Sequence, residues 1–370
     1  MSKVTYIDEV EIINKRVLLR VDFNVSLSKD KTTITDDTRI KETLPTINFL
    51  LKNNNKLIII SHLGRPKTRD FQFSLKIVAE RLRTYLPNNQ IILVDDFITN
   101  FDQNNSISLL ENIRFYPQEK SRDENFINKL ASLGDVYVND AFGVCHRETA
   151  SVVDLPKKLP CYGGLLLKKE INTLEPVTTN PQKPFVTIIG GAKISTKINL
   201  IEKLGQISDQ LIIGGALANT FVAAKGQIIG ESFYEHDQLE NARELEQKVN
   251  KESQKLVLPE DFIWENNKIL DIGPKSQKHF QEIISKARTI VWNGPVGYFE
   301  DPKFTSGSQA ILDAICSNKE AYSIVGGGDT LSFIKDKPHI EKISHISTGG
   351  GALLEFFEKG TLPGIEALKK

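Results

Sequence analysis

Apolar residues in this chain gather in short continuous runs, each followed by a stretch with helical spacing. In the first half, residues 16–23, 56–61, 90–94 and 135–139 read as strands. The run from Leu57 to Ile60 is apolar without a break, the pattern of a parallel strand covered on both faces. Leu75, Val78, Leu82 and Leu86 recur at helical spacing, as do Ile40, Leu44, Ile47 and Leu51. Pro45 falls inside the second pattern, so a helix either starts there or is kinked. After Pro184 the rhythm resumes. Strands are predicted at 185–190, 210–214, 255–258, 289–293, 321–325 and 345–348. Helices are predicted at 195–204, 216–224, 239–249, 306–317 and 352–359, with Gly360 as a C-cap glycine. This alternation predicts an α/β protein of two doubly wound (Rossmann-like) parallel-sheet domains.

The domain boundaries follow from the breaks in that rhythm. The first domain takes residues 1–162, and residues 163–180 form a connecting helix and linker. Gly163 and Gly164 open that helical run, and prolines punctuate residues 175–184. Residues 181–351 make the second domain. The total of 370 residues leaves room for two cores.

Charge narrows the function classes. The 47 basic residues balance the 47 acidic ones, so nothing draws the chain to nucleic acid or to a membrane surface. An apolar leader and a run of membrane-spanning length are both missing from the sequence, and a cytoplasmic location is expected. Cys145, Cys161 and Cys316 are odd in number and lack metal-ligand spacing, which fits a reducing compartment. Cys145 reads as a small inert side chain. No exposed heptad or apolar stripe argues against a monomer.

Two residue types are unevenly spread. Arginines stand at 16, 20, 39, 65, 69, 81, 83, 114, 122 and 147, then only at 243 and 288. Before residue 150 the only glycines are Gly64, Gly134 and Gly143. Arginine forks suit compact anions, and glycine turns suit a polyphosphate held by backbone N–H groups. The chain therefore reads as an anion-binding half followed by a nucleotide-binding half.

The candidate chemistry lies at predicted strand ends, where ligands of open α/β sheets bind. Asp22 and Asn24 flank Phe23 and share a face at period two. His62, Leu63, Gly64 and Arg65 end the second strand. Arg114 and Arg147 follow later ones, and Arg39 follows the loop after the first strand. In the second half, Gly191, Ala192, Lys193 and Lys197 follow a buried strand. On a helix the two lysines, four apart, would approach one polyphosphate together. Gly215 opens the next predicted helix. Asn293, Pro295 and Glu300 lie in an apolar-walled loop suited to a purine, with Glu300 placed to accept from ribose. Gly326, Gly327 and Gly328 form a turn ahead of a helix. Asp329 and Thr330 are good N-cap types there, and Asp329 is the candidate magnesium residue. Neither a Walker A loop nor a G-x-G-x-x-G occurs, which disfavours a dinucleotide oxidoreductase.

Together the segments RVDFNV, SHLGRP, ENIRF, NDAFGVCHR, GGAKISTK, WNGPVG, VGGGDT and STGGGALLE resemble phosphoglycerate kinase, in that family's order and from about Lys15 to the C-terminus. The resemblance implies reversible phosphoryl transfer between 1,3-bisphosphoglycerate and Mg-ADP, giving 3-phosphoglycerate and ATP. It also implies a cleft between the domains and a C-terminal tail, about 352–370, that returns to the first. By motif, Asp22, Phe23, Asn24, Arg39, His62, Leu63, Gly64, Arg65, Arg114 and Arg147 would hold the phosphoglycerate. Gly191, Ala192, Lys193, Lys197, Gly215, Asn293, Pro295, Glu300 and Gly326 to Thr330 would hold the nucleotide, with Mg2+ at Asp329. Arg39, Lys193 and Lys197 would be catalytic. Since Arg39, Lys197 and Asp329 are all present, a binding protein without turnover is disfavoured. The chain departs from the family at Ser26, at Tyr298 and in a shortened segment between Asp261 and Asp271.

Overall fold

The strands form two separate six-stranded parallel sheets, flanked by helices. The computed structural model describes residues 3–99, 101, 105–250 and 255–369; the outer limits 1 and 370 of the predicted first domain lie outside these. By contacts the chain divides into two units, Met1–Asn172 with Thr361–Lys370, and Thr173–Gly360.

In the first unit, β1 (Arg16–Arg20) is followed by a hairpin of β2 (Ser26–Leu27) and β3 (Ile34–Asp36). Then come β4 (Lys56–Ile60), β5 (Ile91–Val94), β6 (Ile107–Leu110), β7 (Val136–Asn139) and β8 (Cys161–Gly163). The sheet order is β5-β6-β4-β1-β7-β8, so β4 and β1, each buried at four of its five positions, lie at its centre. Val17, Leu18, Leu19 and Leu57 to Ile60 are all buried, as the unbroken apolar runs require. Each such side chain contributes about 1.5–3 kcal/mol relative to exposure. A side-on ion pair joins the starts of β1 and β7: Arg16 Nη2 meets Asp135 Oδ1 at 2.6 Å, and Arg16 N donates to Asp135 Oδ2 at 2.9 Å. The helices are α1 (Thr38–Lys52), α2 (Lys76–Tyr85), α3 (Pro117–Ser121) and α4 (Glu124–Ser132). Of the two sequence-based options for Pro45, a start at the proline is excluded, because α1 begins at Thr38 and runs through it.

Helix α5 (Leu165–Thr179) carries the chain into the second unit. It continues through Pro176 and stops ahead of Pro181 and Pro184, so the proline-punctuated stretch is helical further than expected. The second sheet contains β9 (Phe185–Ile189), β10 (Gln210–Ile213) and β11 (Leu256–Val257). A hairpin of β12 (Phe262–Glu265) and β13 (Lys268–Ile272) intervenes before β14 (Thr289–Asn293), β15 (Tyr322–Gly326) and β16 (His345–Ser347). The order is β11-β10-β9-β14-β15-β16. The hairpin is the shortened segment noted in the sequence. Asn266 and Asn267 close it with φ of 49° and 60°, as a tight hairpin turn requires.

The second unit's helices are α6 (Ile198–Ile207), α7 (Gly215–Ala224), α8 (Leu239–Val249), α9 (Pro274–Ser285), α10 (Ser306–Ser317), α11 (Gly328–Ile334) and α12 (Gly351–Lys359). The last of these corrects the boundary predicted near residue 352. Its apolar face, Ala352, Leu353, Phe356 and Phe357, is buried and packs on α6, so only Thr361–Lys370 belong to the first unit. There α13 (Pro363–Glu366) is held by Gly364 N donating to Cys145 O at 2.8 Å.

Candidate functional site

In the first unit the polar residues cluster where β1, β4 and β7 end. Strand β1 stops at Arg20, not Phe23, because the chain then crosses the end of β4. Val21 N donates to Ile60 O at 3.0 Å and Phe23 N to Ser61 Oγ at 2.9 Å. The period-two argument for Asp22 and Asn24 therefore fails, since neither lies on a strand. Asp22 instead turns back to accept from Asn24 N at 3.2 Å, and its carboxylate pairs with Arg39 in the first turn of α1. Asn24 Oδ1 accepts from Gly64 N at 2.8 Å. Burial opposes the Asp22 charge, but Arg39 above all, with Arg20, outweighs it and holds its carboxyl below the ordinary range.

His62 is buried, with Nδ1 3.8 Å from Asp22 Oδ1. Burial above all pushes its pKa well below the usual value. Asp22 opposes that shift, and Arg114, Arg20 and Arg39 reinforce it. The imidazole is neutral at neutral pH. Arg114 Nη1 donates to Gly64 O at 2.6 Å. Burial, together with the neighbouring Arg20, Arg147 and Arg65 charges, brings its guanidinium down to about 10 against the opposing pull of Asp22. A guanidinium depressed by other guanidiniums marks a crowd of cations with little internal compensation. Arg65 and Arg147 are exposed at its rim.

The side chains of Phe23 and Leu63 are buried in the apolar core, so any part they take in the site falls to their backbone. Cys145 is buried too, and burial pushes its thiol up to about 12, which fits the inert reading. Arg20 was not singled out from the sequence. It is buried and donates to Ser151 Oγ at 3.0 Å, and an arginine ending an apolar strand was the available signal.

In the second unit, Gly191 leaves β9 with φ +103°, a conformation that favours glycine. The expected helical pairing of Lys193 with Lys197 does not occur. Helix α6 starts only at Ile198, because fully buried Ile194 pins the preceding turn and Ser195 N bonds Glu235 Oε2 at 3.0 Å. Lys193 is exposed there. Lys197 folds back over the strand ends, donating to Gly190 O at 2.8 Å and Asn293 Oδ1 at 2.9 Å. Burial lowers its ammonium to about 8, although Asp329 pulls the other way.

Asn293 in turn donates to Gly326 O at 2.9 Å, joining β14 and β15 at paired register positions. Gly327, with φ +101°, is the N-cap of α11; Asp329 and Thr330 lie inside the first turn rather than capping it. Thr330 is buried because its Oγ1 accepts from Gly294 N at 2.7 Å, and Asp329 is exposed.

A cavity of about 250 Å³ opens beside these strand ends. Of the predicted nucleotide residues, Gly191, Ala192, Gly215, Pro295, Glu300 and Asp329 line it. Lys193, Lys197, Asn293, Thr330 and Gly326 to Gly328 do not, although Lys197, Asn293, Gly326 and Thr330 belong to the hydrogen-bonded network described above. Tyr298 lines it while 51% exposed. The β12–β13 hairpin supplies an unexpected wall, including Asp271, which accepts from Gly307 N at 2.9 Å and Ser306 Oγ at 3.0 Å.

Comparison with known proteins agrees across the chain's length. The profile of "Phosphoglycerate kinase" matches residues 7–360. The chain belongs to the phosphoglycerate kinase family. A phosphoglycerate kinase of Koribacter versatilis is 45% identical, over 100% of this chain and 99% of its own. One from Dictyoglomus turgidum is 43% identical over 100% of both. The solved phosphoglycerate kinase of Coxiella burnetii superposes with TM-score 0.88 at 37% identity, covering 99% of this chain and 98% of its own. That of Pyrococcus horikoshii OT3 gives 0.86 at 29% identity over 98% of each. Membership makes the protein an enzyme, a phosphotransferase with a carboxyl group as acceptor. Among the described residues no helix is long and apolar enough to cross a membrane.

Proposed function

We propose that this protein catalyses reversible phosphoryl transfer between 1,3-bisphosphoglycerate and Mg-ADP, giving 3-phosphoglycerate and ATP, as a cytoplasmic monomer. The observation that carries the first half of this reading is the cationic crowd around a neutral His62. Arg39, Arg65, Arg114 and Arg147 suit the phosphate and carboxylate of a small polyanion, and Asp22, Asn24 and His62 suit its hydroxyl. The cavity beside Gly191, Gly215 and Pro295 supports a nucleotide in the second unit, with Glu300 at the ribose and the Gly326 to Thr330 turn at the phosphates.

In the ATP-consuming direction, a 3-phosphoglycerate carboxylate oxygen attacks the γ-phosphorus. The P–O bond to the β-phosphate breaks, and ADP leaves with that electron pair. The nucleophile is already ionised at neutral pH, so no general base is needed, in keeping with a neutral His62. What remains is in-line positioning and positive charge at the migrating group. Arg39 and Lys197 supply that charge, with Lys193 as an exposed accessory cation. The two units carry the two ligands, so transfer requires a closing motion that also excludes water.

Asp329 fits a magnesium role. Among the described residues no cluster of three ligating side chains occurs, and one exposed carboxylate beside a phosphate turn suits an ion held mainly by phosphate oxygens and water. When bound, magnesium would neutralise polyphosphate charge. A coupled assay with ATP, magnesium and 3-phosphoglycerate tests the reading, and absence of turnover at micromolar enzyme would overturn it.

A further inference from the structure

One buried amide ties together two parts of the cationic site in the first unit. Asn112 is 0% exposed and is the N-cap of the short turn Ile113–Phe115 that carries Arg114. Its Nδ2 donates to Leu63 O at 2.8 Å and to Phe73 O at 2.9 Å, and its Oδ1 accepts from Arg114 N at 3.1 Å. Two carbonyls at the nitrogen and an N–H at the oxygen leave the amide one way to face. The ring of Phe73 lies where a Cβ on Gly64 would stand, and Gly64 has φ +63°. Glu111 fastens the same segment, accepting from Ser74 Oγ at 2.6 Å and from Leu75 N at 2.7 Å. Gly64 is gripped at both its polar groups: its N donates to Asn24 Oδ1 at 2.8 Å, and its O accepts from Arg114 Nη1 at 2.6 Å.

Being enclosed, Asn112 touches no ligand and acts only through these partners. Resting on the phosphoglycerate reading of this site, we infer that Asn112 is a positioning residue that fixes the spacing between Arg114 and the loop from His62 to Arg65. Leu63 O and Arg114 N are bonded to the two ends of one planar group, so the loop and the turn move as a unit. The reason such a clamp is needed is electrostatic. Arg114 stands among the Arg20, Arg65 and Arg147 charges, which repel it. A neutral amide holds the cations together without cancelling any of the field that a bound anion would use, whereas a carboxylate in its place would cancel part of it. Released from the amide, the loop and the turn separate under that repulsion, and an incoming anion must then gather them. Preorganisation of this kind appears as affinity for the ligand.

If Asn112 served only the fold, its loss would lower stability and leave the affinity of the folded protein intact. Calorimetry with 3-phosphoglycerate and with ADP on the full-length protein separates the two roles. The near-isosteric Asn112→Leu should bind 3-phosphoglycerate roughly tenfold more weakly, the scale of one neutral hydrogen bond, and ADP within about twofold of wild type. In an Arg114→Ala background the same substitution should weaken 3-phosphoglycerate by less than about threefold, because the spacing it sets no longer matters. The inference is overturned if Asn112→Leu binds 3-phosphoglycerate within about twofold of wild type, or if it costs the same factor with and without Arg114. Should that variant not fold, Asn112→Ser keeps a cap for Arg114 N, is too short to reach the two carbonyls, and should show the same loss and the same dependence on Arg114. In wild type, 3-phosphoglycerate should move the side-chain amide resonances of Asn112 and ADP should not. Resonances that stay in place overturn the inference even if neither variant folds. If wild type binds no 3-phosphoglycerate, the reading of the site falls and takes the inference with it.

Discussion

Lys197 Nζ donates to Asn293 Oδ1 across the ends of two adjacent strands, at 2.9 Å. The bond holds an ammonium over the sheet where burial has lowered it to about 8. A lysine with a folded pKa below its unfolded value binds fewer protons in the folded protein. Its cost to stability is therefore full below about pH 8 and fades as pH rises toward the ordinary lysine range. Nucleotide affinity should run the other way, falling as pH rises through 8 and the cation is lost. In Lys197→Arg that fall should move above about pH 9. Calorimetric titration of ADP across this range is the check, and an unchanged profile in the variant would remove Lys197 from the phosphate site.

Arg39 should separate binding from rate. It is held against Asp22, and a Cβ on Gly143 would collide with that carboxylate, so the guanidinium has a fixed seat. Arg39→Lys keeps the charge and loses the planar fork. The expected outcome is a kcat lower by about 10²–10³-fold with KM for 3-phosphoglycerate little changed. Steady-state kinetics that show a raised KM and an unaltered kcat would make Arg39 an anchor only.

Arg65 lies at the exposed rim of the cationic crowd. Arg65→Ala should weaken 3-phosphoglycerate binding by roughly 1.5–3 kcal/mol, the scale of a charged hydrogen bond, and leave ADP affinity nearly unchanged. Equal losses for the two ligands, measured separately, would mean that this arginine does not serve the phosphoglycerate.

Asp140 concerns stability. It is fully buried, its Oδ1 accepts from Leu166 N at 2.9 Å and Leu167 N at 3.1 Å, and burial raises its carboxyl to about 6. A carboxyl with a raised folded pKa binds more protons when folded, so it costs stability as pH climbs from the ordinary aspartate range to about 6, and fully above that. Asp140→Asn keeps the acceptor and removes the charge. Its stability advantage over wild type should be larger at about pH 7 than at about pH 4.5, read from urea midpoints. An advantage of equal size at both would dissociate the pH effect from this group.

The central strands were legible because burial on both faces leaves a nearly continuous apolar run, as in Leu57 to Ile60 and in Phe185–Ile189, which only the buried Thr187 interrupts. The shorter and more polar strands were harder to read. β8, at one edge, has three residues, and the interior β6 carries Ser108, which is buried all the same. Helices α4 and α9 were missed despite a capping Asp123 and a leading Pro274, both readable start signals. At the site, residue types were legible and placements were not. Asp22 bends off its strand to meet Arg39, and Lys197 folds back instead of lining up with Lys193, because contacts distant in sequence decide both.

All three thiols, Cys145, Cys161 and Cys316, are buried, and burial raises Cys145 and Cys316 above the ordinary thiol range. The native protein therefore offers maleimide reagents little to attack. Cysteines placed at exposed Lys67 and Lys319, one on each unit, would take a donor and an acceptor dye without competition from within. Fluorescence transfer between them would then test the proposed closure in solution, with either ligand or both, on an otherwise unmodified chain.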